Sequence, residues 1–248
     1  MQALIYSFLA GISTSVGVII LVIFGEPGKK VLSGLLGLAG GIMIAISVFE
    51  LMPEAVSLGS TTILVVGFIL GSLMMFGLDK VVPHSHVSSS EDDLAVENPE
   101  KIKIKNPILR TGYLILFGIA LHNLPEGLAI GAGLESSPEV GLFIALAIAF
   151  HNIPEGLAIA GPLKAGGTNN LKLLLFTLGA GLMTPLGALV GLFFFRISPV
   201  FVGGSLAFAA GAMVYIVNDE LVPQANGMNS HFSNLGIIAG LLLGFAML

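Results

Sequence analysis

The sequence predicts an all-α integral membrane protein with eight transmembrane helices, because its apolar runs are too long and too numerous for a soluble core. Of its 248 residues, 55% are hydrophobic and only 10% are charged, whereas about a quarter of an ordinary soluble domain is charged. Uncharged runs such as 1–25, 31–49 and 55–78 each reach the roughly 18 residues that a bilayer-crossing helix needs. This composition excludes a soluble globular enzyme, and ten scattered Lys and Arg residues exclude a basic nucleic-acid-binding face.

Segments rich in Gly, Pro and charged residues divide the chain into eight predicted spans that form a single membrane domain, residues 1–248. The first span lacks a basic n-region and is longer than a signal-peptide core, so we interpret it as a membrane helix. The polar stretch 80–107 is predicted to be a disordered loop, because it is rich in Ser and charge and poor in large apolar groups. The predicted spans are 3–24, 31–56, 62–80, 108–134, 138–163, 171–195, 199–223 and 231–248.

The distribution of basic residues predicts the orientation, since cytoplasmic loops carry the excess of Lys and Arg. Alternate loops share a side, and nine of the ten bases fall on one side while Arg196 alone falls on the other. Both termini are therefore expected on the exterior of the cytoplasmic membrane, with the 80–107 loop inside. The nine bases are Lys29, Lys30, Lys80, Lys101, Lys103, Lys105, Arg110, Lys164 and Lys172.

Several kinds of chemistry are excluded by residues or motifs that the sequence lacks. There is no cysteine, so disulfides, thiolate metal sites and iron–sulfur clusters cannot form. No Walker-type phosphate loop is present, so nucleotide hydrolysis by that route is excluded. Within the polar loop, His84 and His86 are equally consistent with weak metal capture and with simple solvation.

A nine-residue motif occurs twice and is the strongest functional signal. Residues 122–130 have the sequence His-Asn-Leu-Pro-Glu-Gly-Leu-Ala-Ile, and 151–159 repeat it with eight identities in nine. Because residues three or four apart share a helix face, each copy places an imidazole, an amide and a carboxylate on one stripe. Pro125 and Pro154 lack an N–H and are expected to kink each helix in mid-span, which is tolerated at membrane depth only beside a protein-lined cavity.

The two glutamates of this motif need compensation for their charge. An unpaired Glu near the bilayer centre costs at least about 2.5–3.5 kcal/mol, and neither motif-bearing span offers a Lys or Arg at that depth. A divalent cation bridging Glu126 and Glu155 balances the charge, and the imidazoles of His122 and His151 are ligands suited to zinc. The alternative, in which protonated glutamates and neutral histidines only bond helices together, is disfavoured by the duplication.

A second, weaker repeat relates the two ends of the chain. Residues 41–55 in span two match 211–225 in span seven at seven of fifteen positions. These spans cross in opposite directions, so the repeat is inverted, which is typical of secondary transporters. It predicts a 3+2+3 arrangement, with spans 1–3 and 6–8 related by inversion around spans 4–5.

The doubled His-Asn-x-Pro-Glu-Gly motif, the polar loop after span three and the Asp-Glu-Leu-Val-Pro stretch 219–223 resemble the ZIP family of divalent metal-ion transporters, in its prokaryotic zinc-uptake permease branch. The resemblance implies metal uptake into the cytoplasm by a homodimer, through a binuclear site between spans four and five. It also implies that spans one, four, five and six move against a scaffold of spans two, three, seven and eight.

The resemblance further implies which residues bind metal along the path. The primary site consists of His122, Glu126, His151 and Glu155. The second site uses Asn123, Glu126, Asn152 and Glu155. Asp79, Asp219 and Glu220 resemble the family's release-side residues, and the loop histidines His84 and His86 are further candidates for the release pathway. Independently of the resemblance, Glu50 and Glu54 lie at the mirrored exterior end of span two, where gathering cations at the entrance and anchoring the membrane interface are equally consistent roles. Ordinary helix-end charges remain an alternative for the acidic residues outside the two sites.

One position departs from the family pattern. Many relatives in that family carry a Glu immediately before a Pro in span six, whereas Thr184 precedes Pro185 here. Because a neutral hydroxyl is a poor zinc ligand beside carboxylate and imidazole, and because two glutamates balance only one divalent ion, we expect one tightly held metal and a weak second position.

The function expected from the sequence is a secondary transporter that imports Zn²⁺, with Fe²⁺, Mn²⁺, Co²⁺ and Cd²⁺ as further candidates. The metal is the transported substrate, and no catalytic cofactor is expected. A membrane-embedded zinc metalloenzyme and a passive metal-selective channel remain the alternatives. The enzyme is disfavoured because neither a His-Glu-x-x-His sequence nor a serine-nucleophile motif is present.

Overall fold

The computed structural model describes residues 1–81, 85–87, 94–96, 106–195 and 198–247, and nearly all of them are helical. Two short strands, β1 Ser85–Val87 and β2 Leu94–Val96, pair antiparallel within the polar stretch. Most of that stretch lies outside the described residues, so its disorder stays a prediction. The helices are α1 Gln2–Phe24, α2 Lys29–Ile46, α3 Met52–Leu58, α4 Thr61–Val81, α5 Pro107–Ser136, α6 Pro138–Ala165, α7 Asn170–Gly181, α8 Met183–Phe195, α9 Pro199–Ile216 and α10 Val222–Met247.

Short polar residues begin several of these helices in the way that their chemistry favours. The Ser137 hydroxyl accepts a hydrogen bond from the Val140 N–H at 3.1 Å, and the Asn169 side chain accepts one from the Lys172 N–H at 2.9 Å. Such N-caps satisfy donors that the first helical turn leaves free. Helix α1 ends at Gly25, whose φ of 82° is a conformation that glycine adopts without strain.

The helices make this an all-α, multi-pass membrane protein, as predicted. Six helical segments of the described chain are long and apolar enough to cross a membrane, and Thr61–Gly77 is a shorter apolar helix. Large apolar side chains also cover the outside, including Phe24, which is 81% exposed, and Leu235, which is 64% exposed. Such a surface suits contact with lipid.

The longest apolar segment, Pro199–Met247, is interrupted inside α10. Asn229 has extended backbone angles (φ −167°, ψ 105°), and its side chain accepts a hydrogen bond from the Phe232 N–H at 3.1 Å, which caps the helix that follows. The Ser33 hydroxyl of α2 lies 2.8 Å from the Ala225 carbonyl oxygen and 2.7 Å from that of Asn229. This contact compensates backbone carbonyls at the break.

Irregular backbone occurs at places that the sequence analysis did not predict. Helices α5 and α6 continue through Pro125 and Pro154 without interruption. Two π-helical segments of the described chain, Ser47–Leu51 and Val217–Leu221, occupy equivalent positions of the sequence repeat between 41–55 and 211–225. Each lies directly before a proline-containing turn, and π-helical turns are frequent at functional sites.

The helices pack as two groups. In one group α5 and α6 lie side by side, α1 packs along α6, and both α7 and α8 contact α1 and α5. In the other, α2 packs along α10 and α4 along α9. The two groups meet where α5 contacts α9 and where α2 contacts α6.

Glycines bring the backbones of α2 and α10 into direct contact. A Cβ built on Gly37 would meet the Ser233 carbonyl, and one built on Gly240 would meet the Leu38 carbonyl. Gly41 faces the Ile237 carbonyl in the same way. Small residues that allow close backbone approach are the usual basis of helix association in membranes.

Replacing Gly37 with Ala is expected to destabilise this helix pair. The new methyl group must displace the Ser233 carbonyl, and overpacking of this kind typically costs about 1–3 kcal/mol. Gly34→Ala, on the same helix, is the matched control, because its nearest neighbour would be the Phe232 carbonyl at an ordinary 3.7 Å. Thermal unfolding in detergent, followed by far-ultraviolet circular dichroism, checks the difference. Equal melting temperatures for the two variants would contradict this packing.

Candidate metal centre

Four side chains from α5 and α6 meet in the interior of the protein. The Nε2 atom of His122 lies 3.0 Å from Oε2 of Glu155 and 3.9 Å from Oε1 of Glu126. The Nε2 atom of His151 lies 2.7 Å from Oε1 of Glu126. All four residues are 0% exposed. Each histidine therefore pairs with the carboxylate of the opposite helix, so that the two copies of the motif cross.

The helices bring these groups together because each motif lies on a single helical stripe. A glycine follows each glutamate and admits a third helix from the other side. A Cβ built on Gly127 would meet the Thr184 carbonyl of α8, and one on Gly156 would meet the Thr14 carbonyl of α1. The two motifs are thus enclosed by α8 and α1 at equivalent positions.

The two asparagines of the motif bind backbone carbonyls of the enclosing helices. The Asn123 amide donates to the Ala180 carbonyl at 2.8 Å, and the Asn152 amide donates to the Ala10 carbonyl at 3.0 Å. The Oδ1 atom of each asparagine is buried without a hydrogen-bond partner among the described residues. Each amide is therefore held in one orientation, with its oxygen left as an acceptor.

The centre carries negative charge with few compensating groups. One oxygen each of Glu126 and Glu155 is buried without a hydrogen-bond partner among the described residues. The ion-pair partners that this part of the chain offers to these two carboxylates are the histidines. Ligand atoms of His122, Glu126 and Glu155 all lie within 4.8 Å of one another. Because buried, unbalanced carboxylates are costly, this arrangement favours a bound cation.

A second doubled motif, which the sequence analysis missed, supplies the enclosing helices. Residues 10–17 and 180–187 share the pattern Ala-Gly-x-x-Thr-x-x-Gly. The first glycines, Gly11 and Gly181, face each other's backbone where α1 crosses α7. The threonines, Thr14 and Thr184, are both 0% exposed, and their hydroxyls have no hydrogen-bond partner within the described chain. A comparison of the first and sixth spans would have revealed this repeat.

The predicted release-side residues lie in different places. Asp219 and Glu220 fall in the second π-helical segment and are partly exposed. The Glu220 carboxylate rests against Gly118 of α5, one helical turn before His122. Asp79 lies in α4 and His86 in β1, whereas His84 is outside the described residues.

Of the two predicted entrance residues, Glu54 contacts the C-terminal end of α5. Glu50 falls in the first π-helical segment and is partly exposed. Glu54 accepts a hydrogen bond from the Ser136 hydroxyl at the end of α5. Ser136 follows Glu126 by ten residues, which corresponds to about 15 Å along a helix. Glu54 thus contacts α5 at its C-terminal end, ten residues after Glu126, whereas Glu220 contacts the same helix one turn before His122.

Comparison with known proteins agrees with the geometry. Residues 83–248 match the family profile described as ZIP zinc transporter. The chain is 37% identical over 250 residues to the zinc transporter ZupT of Escherichia coli K12, which covers 98% of this chain and 95% of the relative. The zinc transporter ZupT of Escherichia fergusonii is 37% identical over 244 residues, covering 96% and 92% of the two chains.

The family profile spans most of the chain, the relatives align over nearly all of it, and the matched region contains the buried histidine–glutamate cluster. This protein therefore belongs to the ZIP family of zinc transporters.

Proposed function

We propose that this protein imports Zn²⁺ into the cytoplasm by alternating access, with the crossed histidine–glutamate cluster as the transported ion's binding site. The observation that carries the proposal is a pair of fully buried carboxylates that face imidazoles rather than Lys or Arg. Because the family is one of transporters, the protein is a transporter and not an enzyme, which decides against the metalloenzyme alternative.

The primary site consists of His122, Glu126, His151 and Glu155. Each short Nε2–Oε contact, at 3.0 Å and 2.7 Å, is a hydrogen bond between an imidazole and a carboxylate. Zinc prefers imidazole nitrogen and carboxylate oxygen, so an arriving ion replaces the hydrogen in these contacts and releases protons. Fe²⁺, Mn²⁺, Co²⁺ and Cd²⁺ are further candidate substrates, since they accept the same ligands.

A second, weaker position uses the asparagine oxygens together with the carboxylates of Glu126 and Glu155. The Asn123 and Asn152 oxygens have no other partner in the described chain, which leaves them able to accept a cation. Position 184, where the family pattern has a Glu, carries a neutral threonine hydroxyl in this chain. With two carboxylates, a single divalent ion is already balanced, so a second one is bound weakly.

The architecture that suits this function has eight spans in a 3+2+3 arrangement. The break at Asn229 supports two spans within Pro199–Met247, and the paired π-helical segments support an inverted relation of spans 1–3 to spans 6–8. The group formed by α1 and α5–α8 moves against the group that contains α2, α4, α9 and α10. Both termini lie on the exterior side of the cytoplasmic membrane. The functional unit is a homodimer embedded in lipid.

The ion path connects the two flanking acidic clusters through the centre. Glu50 and Glu54 gather cations at the exterior entrance. Glu220 lies one turn from His122 and is placed to accept the departing ion. The release side consists of Asp79, His84, His86, Asp219 and Glu220.

Zinc flux into proteoliposomes, with competing cations and an imposed pH gradient, tests the function. For alternating access, we expect uptake that saturates with zinc concentration and that becomes faster when zinc is also present inside the vesicles, on the far side of the membrane. Flux that is linear in zinc concentration and indifferent to zinc on the far side would instead establish a passive channel.

Removal of either carboxylate is expected to abolish zinc uptake. In Glu155→Ala or Glu126→Ala, the remaining glutamate cannot balance a dehydrated divalent ion, so uptake should fall to the level of empty liposomes. Glu139→Ala is the matched control, because Glu139 is exposed at the start of α6. Normal uptake by either buried-site variant would refute the assignment of the metal site.

The histidines are expected to set selectivity. His151→Asp replaces a borderline nitrogen ligand with a hard oxygen ligand, which should shift competition from Zn²⁺ towards Mn²⁺ by about tenfold. Uptake of labelled zinc in the presence of graded manganese measures this shift. An unchanged competition profile would show that His151 is not a ligand.

The residue at position 184 is expected to control metal stoichiometry. The unmodified protein should bind one zinc ion tightly, whereas Thr184→Glu adds the charge that a second ion needs and should raise the number towards two. Thr184→Gln, of similar size but neutral, is the control and should remain near one. Calorimetric titration counts the ions. Two tightly bound zinc ions in the unmodified protein would contradict the charge argument.

A further inference from the structure

Glu220 approaches α5 more closely than a side chain at position 118 would permit. A Cβ built on Gly118 would lie 2.7 Å from Oε1, 3.1 Å from Oε2 and 3.3 Å from Cδ of Glu220. Real Cβ atoms essentially never approach another atom within 3.0 Å. A methyl group at position 118 would therefore displace this carboxylate, which as the end of a flexible side chain can move aside.

This contact lies next to the metal centre. Gly118 precedes His122 by four residues in α5, so the two share one helix face and are about 6 Å apart along the axis. The Glu220 carboxylate thus lies over the helical turn that precedes His122. A cation leaving the imidazole meets its next anionic ligand within one turn.

The equivalent position in the other half of the molecule differs by one methyl group. Ala147 precedes His151 by four residues in α6, just as Gly118 precedes His122. Glu50 in the first π-helical segment is the repeat equivalent of Glu220. Ala147 is 0% exposed, so its methyl group is packed, and an equivalent approach of Glu50 to α6 meets that group. Position 147 thus carries a buried methyl group where position 118 carries none.

We propose that Gly118 is a positioning residue of the transport path. Because glycine has no side chain, the Glu220 carboxylate can lie against α5 one turn from His122, where it receives the departing ion. The inference rests on the release role proposed above for Glu220. It predicts that a side chain at position 118 slows zinc transport by displacing the Glu220 carboxylate. A shorter side chain at position 220 should relieve this effect, and zinc binding at the centre should be unchanged.

The test combines a gain of one methyl group at position 118 with a loss of one methylene at position 220. Gly118→Ala should lower the maximal rate of zinc uptake into proteoliposomes by about tenfold, with calorimetric zinc binding unchanged. Glu220→Asp, introduced into Gly118→Ala, withdraws the carboxylate from the new methyl group and should restore most of the rate. Gly179→Ala is the control, because a Cβ there meets nothing within 4 Å.

The outcomes separate this inference from the proposed release role. Wild-type uptake by Gly118→Ala, or a double variant no faster than Gly118→Ala, would overturn the positioning role, while reduced uptake by Glu220→Gln would leave the release role standing. Wild-type uptake by Glu220→Gln would overturn both. A rate loss in Gly118→Ala that is accompanied by lost zinc binding would show that position 118 supports the centre itself, which also overturns the inference.

Discussion

Glu126 and Glu155 place two carboxylates inside a membrane-spanning bundle, where neither is exposed to solvent. An ionised side chain at such depth is costly unless it is paired. In the described chain their pairing comes from two histidines, each of which reaches the carboxylate of the neighbouring helix. This crossed pairing ties α5 to α6 and still leaves one oxygen of each carboxylate unsatisfied. A divalent cation would balance this charge and bind the unsatisfied oxygens. The packing of α5 against α6 therefore creates a site that suits the ion the protein is proposed to carry.

The helices that enclose this centre make matching contacts with its two motifs. Gly127 meets α8 at Thr184 as Gly156 meets α1 at Thr14, and the two asparagines bind α7 and α1 through equivalent carbonyls. If the protein alternates between two states as proposed above, equivalent contacts in both halves give those states comparable free energies, so that a single ion can shift the balance between them. Inverted repeats provide such a pair of states without separate sets of interactions.

The features that could be predicted from the sequence are those that depend on residues close together in the chain. The predicted span 3–24 matches α1 at Gln2–Phe24, because an apolar run bounded by glycine and charge determines a membrane helix locally. The motif residues of 122–126 were found because the motif is doubled on one helix face. The contact between His122 and Glu155 depends on how α5 packs against α6. The spacing of residues within one helix carries no information about that packing. Gly118 resembles any of 33 glycines until the position of Glu220 is known.

The kinds of contact within and between the two helix groups explain how one group can move. Within each group, backbones touch directly: Gly37 meets the Ser233 carbonyl in one group, and Gly11 meets Gly181 in the other. Such contacts have no side chain that can rearrange, so each group is stiff. Between the groups, the contacts described above use side chains instead, with Glu54 bonded to Ser136 near one end of α5 and Glu220 resting against Gly118, one turn before His122. Carboxylates can exchange a helix contact for water or a passing cation at little cost. If the groups slide as proposed above, these acidic side chains are contacts between the groups that an ion on the proposed path can replace.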